Sequence, residues 1–193
     1  MSLEDLFEKA KLYPNFRQSF LEIITFQEPT NYINKVIYDF QDKQVQSGHV
    51  IMQTEPNIKT KFAIRKQKST LRVFPVAFNK GFHKNLDDFL STFCDHEYFH
   101  AMEFYKNPND IIIPLTKLIP LYLKEKIIKT YSLQVQFTKL VYLREERALK
   151  NQIKNFQNRN CSNEYMQKIK TDWQNCKNNI DQINCYFQKI QFF

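Results

Sequence analysis

The sequence is poor in glycine. Only 2 of its 193 residues are glycine, whereas Lys, Gln, Glu and Leu, which favour helices, are abundant. Few tight turns that need a positive φ can therefore form, and the chain is predicted to be mostly helical. Its hydrophobic content of 42% can fill one core, which favours a single domain over residues 1–193.

The sequence also lacks long apolar runs. No stretch of 18 apolar residues occurs, so no membrane-spanning helix is expected. The N-terminal segment is charged throughout and does not have the basic start and apolar run of a secretory signal. The four cysteines do not have the close paired spacing of zinc knuckles or redox motifs. Reduced thiols and a cytoplasmic location are therefore expected.

Histidine is scarce as well, yet two of the four histidines stand four residues apart. His96, Glu97 and His100 form the pattern His-Glu-x-x-His. On an α-helix both imidazoles can bind one metal ion while Glu97 points to the neighbouring side. Zinc lowers the pKa of a bound water to roughly 7, and an adjacent carboxylate can take its proton. The pattern indicates metal-assisted hydrolysis, most often of a peptide bond; the simpler interpretation is a helix with two incidental histidines.

The residues before the motif are typical of a helix start. Asn85 followed by Asp88 resembles a capping box. Apolar residues then recur at helical spacing, namely Leu86, Phe89, Leu90 and Phe93. Because the same stripe continues through His96, Glu97 and His100, these three side chains are predicted to face inwards.

A zinc site with two histidines needs a third protein ligand. No third histidine follows at the metzincin spacing. A helix is predicted from Ser132, a possible cap, to Gln157, with Glu145 at the centre of its apolar side and Glu146 on the flank. A carboxylate in an apolar stripe should be neutralised, paired or metal-bound. Ligation of the metal held by His96 and His100 is the simplest explanation for Glu145. The alternatives are that Glu145 forms a salt bridge to a lysine or that Glu146 is the third ligand.

The sequence resembles the gluzincin group of zinc metallopeptidases. The similarity rests on His-Glu-x-x-His-Ala at residues 96–101 and Glu-x-x-Ala at residues 145–148, within a match over about residues 70–156. Several such families have Asp where this chain has Leu149, so the specific family stays open.

The resemblance implies a zincin-like peptidase with a Zn²⁺ ion and a peptide or protein substrate. His96, His100 and Glu145 would be the metal ligands and Glu97 the general base. The reaction also needs a donor that stabilises the oxyanion. The candidates for this role are Tyr142, one turn before Glu145, and also His83 and Tyr131.

The middle of the chain has the composition of β-strands. Strands are predicted at residues 49–54, 61–66 and 70–78. Pro75 cannot donate to a ladder, so the third is predicted to be an edge strand, with Arg72 to Phe78 either bordering a substrate cleft or merely ending the sheet. The expected fold is α+β and helix-rich, with a small antiparallel or mixed sheet packed on the motif helix.

Helices are predicted on both sides of this central unit, which spans residues 46–158. Residues 1–45 are interpreted as short helices broken at Pro14 and Pro29, the last with Ile33, Val36, Ile37 and Phe40 on one face. Residues 159–193 are interpreted as one long helix. Its apolar positions recur at threes and fours, namely Tyr165, Ile169, Trp173, Cys176, Ile180, Ile183 and Phe187.

The chain carries a formal net charge of +8. This charge admits an anionic partner, but the basic residues are spread around helices rather than gathered in one run. The alternative function is therefore a catalytically silent zincin-like module that binds protein or nucleic acid. The presence of Glu97 favours the enzyme, because a structural metal site needs ligands but no base. The oligomeric state stays open.

Overall fold

The computed structural model describes residues 2–12, 32–38, 51–56, 67–108 and 127–190, and the structural statements below concern these ranges. Helices dominate them. The elements are α1 (Leu3–Leu12), β1 (Ile33–Tyr38), β2 (Met52–Glu55), β3 (Ser69–Val73), a 3₁₀ turn (Pro75–Phe78), α2 (α-helical Leu86–Leu90, π-helical Ser91–Glu97 and α-helical Tyr98–Lys106), α3 (Ile127–Asn155) with a 3₁₀ turn at Phe156–Asn158, and α4 (Asn163–Ile190).

The three strands form one small mixed sheet in the order β1-β3-β2. β1 runs parallel to β3, and β2 runs antiparallel to it, with Met52 opposite Val73 and Glu55 opposite Thr70. The prediction of a helix-rich α+β fold with a small mixed sheet is confirmed. The predicted strand at residues 61–66 lies outside the described residues.

The prediction of an edge strand over Arg72 to Phe78 is wrong. β3 is the central strand, and it ends at Val73, two residues before Pro75. Pro75 instead begins the 3₁₀ turn, where its missing N–H costs no hydrogen bond and its fixed φ suits a helical start. Among the described strands, β2 is the edge strand that faces α2.

The helix predicted around Ile33, Val36 and Ile37 is also wrong, because these residues form β1. A register shift between Ile33 and Lys35 interrupts the alternation of the strand. Ile33 and Val36, three residues apart, are therefore both buried, as they would be on one face of a helix. Phe40 and the two predicted proline breaks lie outside the described residues.

The predicted helix at the N-terminus is confirmed by α1. Its start is closed by a reciprocal pair: the Asp5 N–H donates to Ser2 Oγ (3.1 Å), and the Ser2 N–H donates to Asp5 Oδ2 (2.8 Å). Leu6 of α1 is fully buried against the sheet and α2.

The core has two parts. The first joins the sheet to α1 and α2, and its largest fully buried members include Leu71, Phe89 and Phe93. The second joins α3 to α4 and consists of Leu149, Phe156, Tyr165, Ile169 and Cys176. None of the described helices is long and apolar enough to cross a membrane.

The two long helices differ in how well their starts were predicted. α3 begins at Ile127, so Ser132 is inside the helix and is not its cap. α4 begins at Asn163, within the range 159–193 predicted for this helix, and Ser162 Oγ accepts the Tyr165 N–H (3.3 Å).

Candidate metal centre

The start of α2 is held by buried polar contacts. Asn85 Oδ1 accepts the Asp88 N–H (2.8 Å), which confirms the predicted cap. The fully buried Asp88 carboxylate accepts from the Lys84 N–H (2.8 Å) and from both the N–H and the hydroxyl of Ser162 (2.7 Å each). These bonds also join the start of α4 to the start of α2.

The middle of α2 is a π-helix that ends within the motif. The Tyr98 N–H donates to the carbonyl of Phe93, five residues back, and the π segment runs from Ser91 to Glu97. His96 and Glu97 therefore lie in the wide turn, whereas His100 lies in regular α-helix. Such π turns inside α-helices are rare and are found frequently at functional sites.

The two motif histidines converge with Glu145 of α3. His96 Nε2 lies 3.2 Å from His100 Nε2. Glu145 Oε2 lies 3.3 Å from His96 Nε2, and Glu145 Oε1 lies 3.2 Å from His100 Nε2. The His100 side chain is 7% exposed and that of His96 13%, while Glu145 is 40% exposed because it faces an open cavity.

These separations fit a common metal ion. Ligand atoms about 2.0–2.1 Å from a tetrahedral ion are about 3.3–3.4 Å apart, close to the separations among His96, His100 and Glu145. The ligand atoms of this group all lie within 4.8 Å of one another, so the group can hold a metal ion. Two imidazoles and one carboxylate are the donors of many catalytic zinc sites, although cobalt and manganese accept the same donors.

The charges of the metal-free group are strongly coupled. Burial opposes the ionised form of Glu145, but hydrogen bonds from His100 and His96 outweigh it and hold the pKa of Glu145 far below its ordinary value. Burial opposes the protonated form of His96, but the hydrogen bond that His96 donates to Glu145 and the charge of Glu97 raise the pKa of His96 overall. A metal ion would take the place of the proton shared here.

The neighbouring carboxylate has a different partner. Glu146 Oε1 accepts from the indole Nε1–H of Trp173 on α4 (2.9 Å). Consecutive residues on a helix point about 100° apart, so one carboxylate faces α2 and the other faces α4. Of the two candidates for third ligand, the structure brings Glu145 to the histidines and Glu146 to Trp173.

Glu97 is held by the edge strand. Its side chain is buried, and its Oε2 accepts from the Thr54 hydroxyl of β2 (2.7 Å). The main-chain carbonyl of Glu97 is also within reach of this hydroxyl (2.9 Å). Sequence reasoning did not identify Thr54, because a single threonine in a strand carries no local signal of its distant partner.

Two arginine pairs dock α3 on α2. Arg159, just after α3, forms a two-point ion pair with buried Asp95, the residue before His96 (2.6 and 3.1 Å). Arg147 forms a similar but more exposed pair with Glu103 (2.6 and 3.2 Å). Because Asp95 and Glu103 stand on either side of the two histidines along α2, the two pairs hold α3, and with it Glu145, against the motif helix.

A chain of buried hydrogen bonds runs from His83 to the cavity wall. The Ala77 carbonyl can only accept, so His83 Nδ1 carries the hydrogen, and burial lowers the pKa of His83 and keeps its ring neutral. His83 Nε2 then accepts from Thr92 (2.8 Å), and Thr92 accepts from the Tyr165 hydroxyl (2.6 Å). Tyr165 in turn accepts from Gln152 Nε2. Each bond direction follows from the one before it.

A cavity of about 580 Å³ opens beside the candidate metal centre. One wall is formed by β2, with Met52, Gln53 and Thr54, and the floor by the motif residues and Glu145. The opposite wall is the polar side of α4, with Lys168, Asp172 and Asn175 among its members. The cavity is large enough for a segment of extended peptide.

Of the three candidates for oxyanion stabilisation, the two whose side chains are described, Tyr142 and His83, do not line this cavity. Tyr142 packs against the core between α3 and α4 and is not part of the cavity wall. His83 is fully buried and bound at both ring nitrogens. The side chain of Tyr131 lies outside the described residues. The cationic group on the wall next to Glu145 is Arg144, whose guanidinium lies 5.4 Å from the Phe104 ring centre.

Comparison with known proteins does not identify a family. No protein-family model, no curated protein and no solved structure matches this chain.

Proposed function

We propose that this protein is a zinc-dependent peptidase with a zincin-like arrangement of sheet and motif helix. The observation that carries the proposal is the group of His96, His100 and Glu145, whose ligand atoms lie 3.2–3.3 Å apart. The separations suit a tetrahedral ion, and the three residues come from two different helices.

Each residue of the centre has a defined role in this proposal. His96, His100 and Glu145 would hold the ion. When bound, Zn²⁺ supplies a Lewis acid that polarises the substrate carbonyl and makes a water molecule acidic. Glu97 takes the proton of the attacking water and then delivers it to the leaving amine. A purely structural site would not need a buried, hydrogen-bonded carboxylate beside its ligands.

The edge strand is the proposed place for the substrate. Among the described strands, β2 pairs with a neighbour on one side only, and its residues line the cavity. An extended peptide can therefore add to the outer edge of β2 by main-chain hydrogen bonds, with its scissile bond near Glu97. We therefore propose β2, and not residues 72–78, as the strand that borders the substrate cleft.

Metal content tests the site. Protein purified without added metal should contain about one zinc ion per chain. Glu145→Ala should lose it, because one of three ligands is removed. Glu146→Ala is the matched control: it deletes the adjacent carboxylate, which binds Trp173, and should keep the zinc. Zinc that survives Glu145→Ala, or that is lost equally from both variants, would contradict the ligand assignment.

Turnover tests the base. Glu97→Gln keeps the size of the side chain and should retain zinc while hydrolysis of a labelled, unfolded protein falls at least 10²-fold. A variant that turns over at the normal rate would show that Glu97 is not the base. If the wild type neither contains zinc nor takes it up on titration, the peptidase proposal fails, and salt-dependent binding to nucleic acid would then favour the silent interaction module.

A further inference from the structure

The Thr54 hydroxyl meets two acceptors of the same residue. It lies 2.7 Å from Glu97 Oε2 and 2.9 Å from the Glu97 main-chain oxygen. It reaches them from β2, where Thr54 stands opposite Leu71 of the central strand. Met52 and Thr54 are two residues apart, so both face α2, and Met52 is buried in the core beneath it.

This geometry restricts the side chain of Glu97. A carboxylate oxygen and the carbonyl of the same residue converge on one hydroxyl, so the side chain is folded back towards its own main chain. The contact with Oε2 is short, as expected for a hydrogen bond to an ionised carboxylate. Among the described residues, no other side chain donates a hydrogen bond to the Glu97 carboxylate.

We infer that Thr54 is a positioning residue for the proposed general base. This inference rests on the peptidase function proposed above. Thr54 donates to Oε2 and thereby directs the incoming proton to Oε1. As the water oxygen bonds to the substrate carbonyl carbon, its O–H bond breaks and the Oε1–H bond forms. The Oε1–H bond then breaks as the same proton forms the N–H bond of the leaving amine and the C–N bond of the substrate breaks. Thr54 itself transfers no proton.

The position of Thr54 also connects the base to the substrate strand. The main chain of residues 52–55 is the proposed pairing edge, and the side chain of Thr54 holds Glu97. A peptide that adds to β2 and the carboxylate that activates water are therefore held by the same four-residue strand. Misplacement of a catalytic group by even about 1 Å can cost on the order of 10²-fold in rate.

The test compares three single variants of the full chain loaded with zinc. Thr54→Val removes the hydroxyl and keeps the branched shape, and Thr54→Ser restores the hydroxyl. Thr171→Val is the matched control, because Thr171 is exposed on α4 and its hydroxyl binds only the Gln167 carbonyl among the described residues. The substrate is a quenched fluorescent peptide chosen because the wild type cleaves it.

The expected result separates positioning from structural support. Thr54→Val should lower kcat about 10- to 100-fold with KM within about twofold and with zinc content unchanged. Thr54→Ser should recover kcat to within about threefold of the wild type, and Thr171→Val should not differ from it. A residue that only supports the fold would lower zinc content or thermal stability and leave the kcat of the folded fraction unchanged.

A second measurement does not depend on activity. The variants Thr54→Val, Glu97→Ala and the double variant form a cycle in which urea unfolding of the metal-free protein is measured. If the hydrogen bond exists, their effects on the folding equilibrium constant should deviate from additivity by about tenfold. Additive effects would overturn the contact on which the inference depends.

The possible failures can be told apart. Suppose that the wild type is an active zinc enzyme. If Thr54→Val then keeps the normal kcat, or if Thr54→Ser is as slow as Thr54→Val, the role of Thr54 is overturned and the proposed function stays intact. A wild type that neither binds zinc nor cleaves any peptide overturns the proposed function, and the role of Thr54 falls with it whatever the cycle shows.

Discussion

Arg159→Met is expected to be one of the most destabilising single substitutions outside the apolar core. Asp95 is only 4% exposed, and Arg159 binds both of its carboxylate oxygens (2.6 and 3.1 Å). Removing the guanidinium leaves a buried carboxylate whose remaining side-chain partner is Asn155 at 3.4 Å. Breaking a buried pair from one side costs about 3 kcal/mol or more, because the other charge stays buried.

The more exposed pair, between Arg147 and Glu103, is the control. Arg147 binds Glu103 with similar geometry, but the Arg147 side chain is 43% exposed against 17% for Arg159, and the Glu103 carboxylate that stays behind is 13% exposed against 5% for Asp95. Exposed ion pairs contribute about 1 kcal/mol or less. Arg147→Met should therefore have a small effect, although the substitution and the number of bonds lost are the same.

Urea unfolding of the metal-free protein measures the difference. With a slope of about 2 kcal/mol per molar urea, Arg159→Met should lower the midpoint by about 1.5 M and Arg147→Met by about 0.5 M or less. The double variant Asp95→Asn with Arg159→Met should recover part of the loss, since no buried charge remains. Equal losses for the two single variants would refute the argument from burial.

Three further predictions concern other parts of the structure. Tyr165→Phe removes the hydroxyl between Thr92 and Gln152 and takes away the acceptor of the buried Gln152 Nε2–H. The free energy of unfolding should therefore fall by about 1–3 kcal/mol in urea titrations, and an unchanged midpoint would contradict the hydrogen-bond chain. Burial and the nearby charge of Asp88 raise the pKa of the Cys161 thiol to about 11. At pH 8, alkylation followed by mass spectrometry should therefore label exposed Cys185 well before Cys161, and labelling of Cys161 should accelerate as pH rises. Equal labelling rates at pH 8 would contradict this prediction. In metal-free protein the pKa of His96 is raised, so its pairing with Glu145 stabilises the fold below pH 6.5, and this contribution is lost as pH rises through the raised pKa. Over that range the wild type should lose more stability than Glu145→Gln. Urea titrations at several pH values can check this trend.

The parts of the fold that sequence reasoning predicted correctly depend on local signals. The cap at Asn85, the apolar stripe that leads to His96 and the long α4 helix are all patterns within one segment. Helix periodicity also placed Glu145 on the inward side of α3, where the structure has it. The zinc site, the base and the peptidase function stay predictions.

The errors arose where one local pattern is compatible with two structures. Apolar residues at positions 33, 36 and 37 suit a helix face, but they also suit a strand with a shifted register, and β1 has that shift. Pro75 is predicted as part of an edge strand because strand propensity does not show where pairing stops. In the structure β3 ends at Val73, before Pro75, and Pro75 begins the 3₁₀ turn. The π segment had no local signal, since it depends on how α2 packs.

The sequence by itself determined the helical segments, the His-Glu-x-x-His pattern and the side of α3 on which Glu145 lies, because each depends on residues within a few turns of one another. Only the tertiary structure decided that Glu145 and not Glu146 meets the histidines, that β2 is the edge beside the cavity, and that Thr54 holds Glu97. These contacts join residues that are 27 to 49 positions apart, as between Thr54 and Glu97 with a separation of 43. Their geometry follows from packing and buried ion pairs such as Asp95 with Arg159, which no local pattern in the chain encodes.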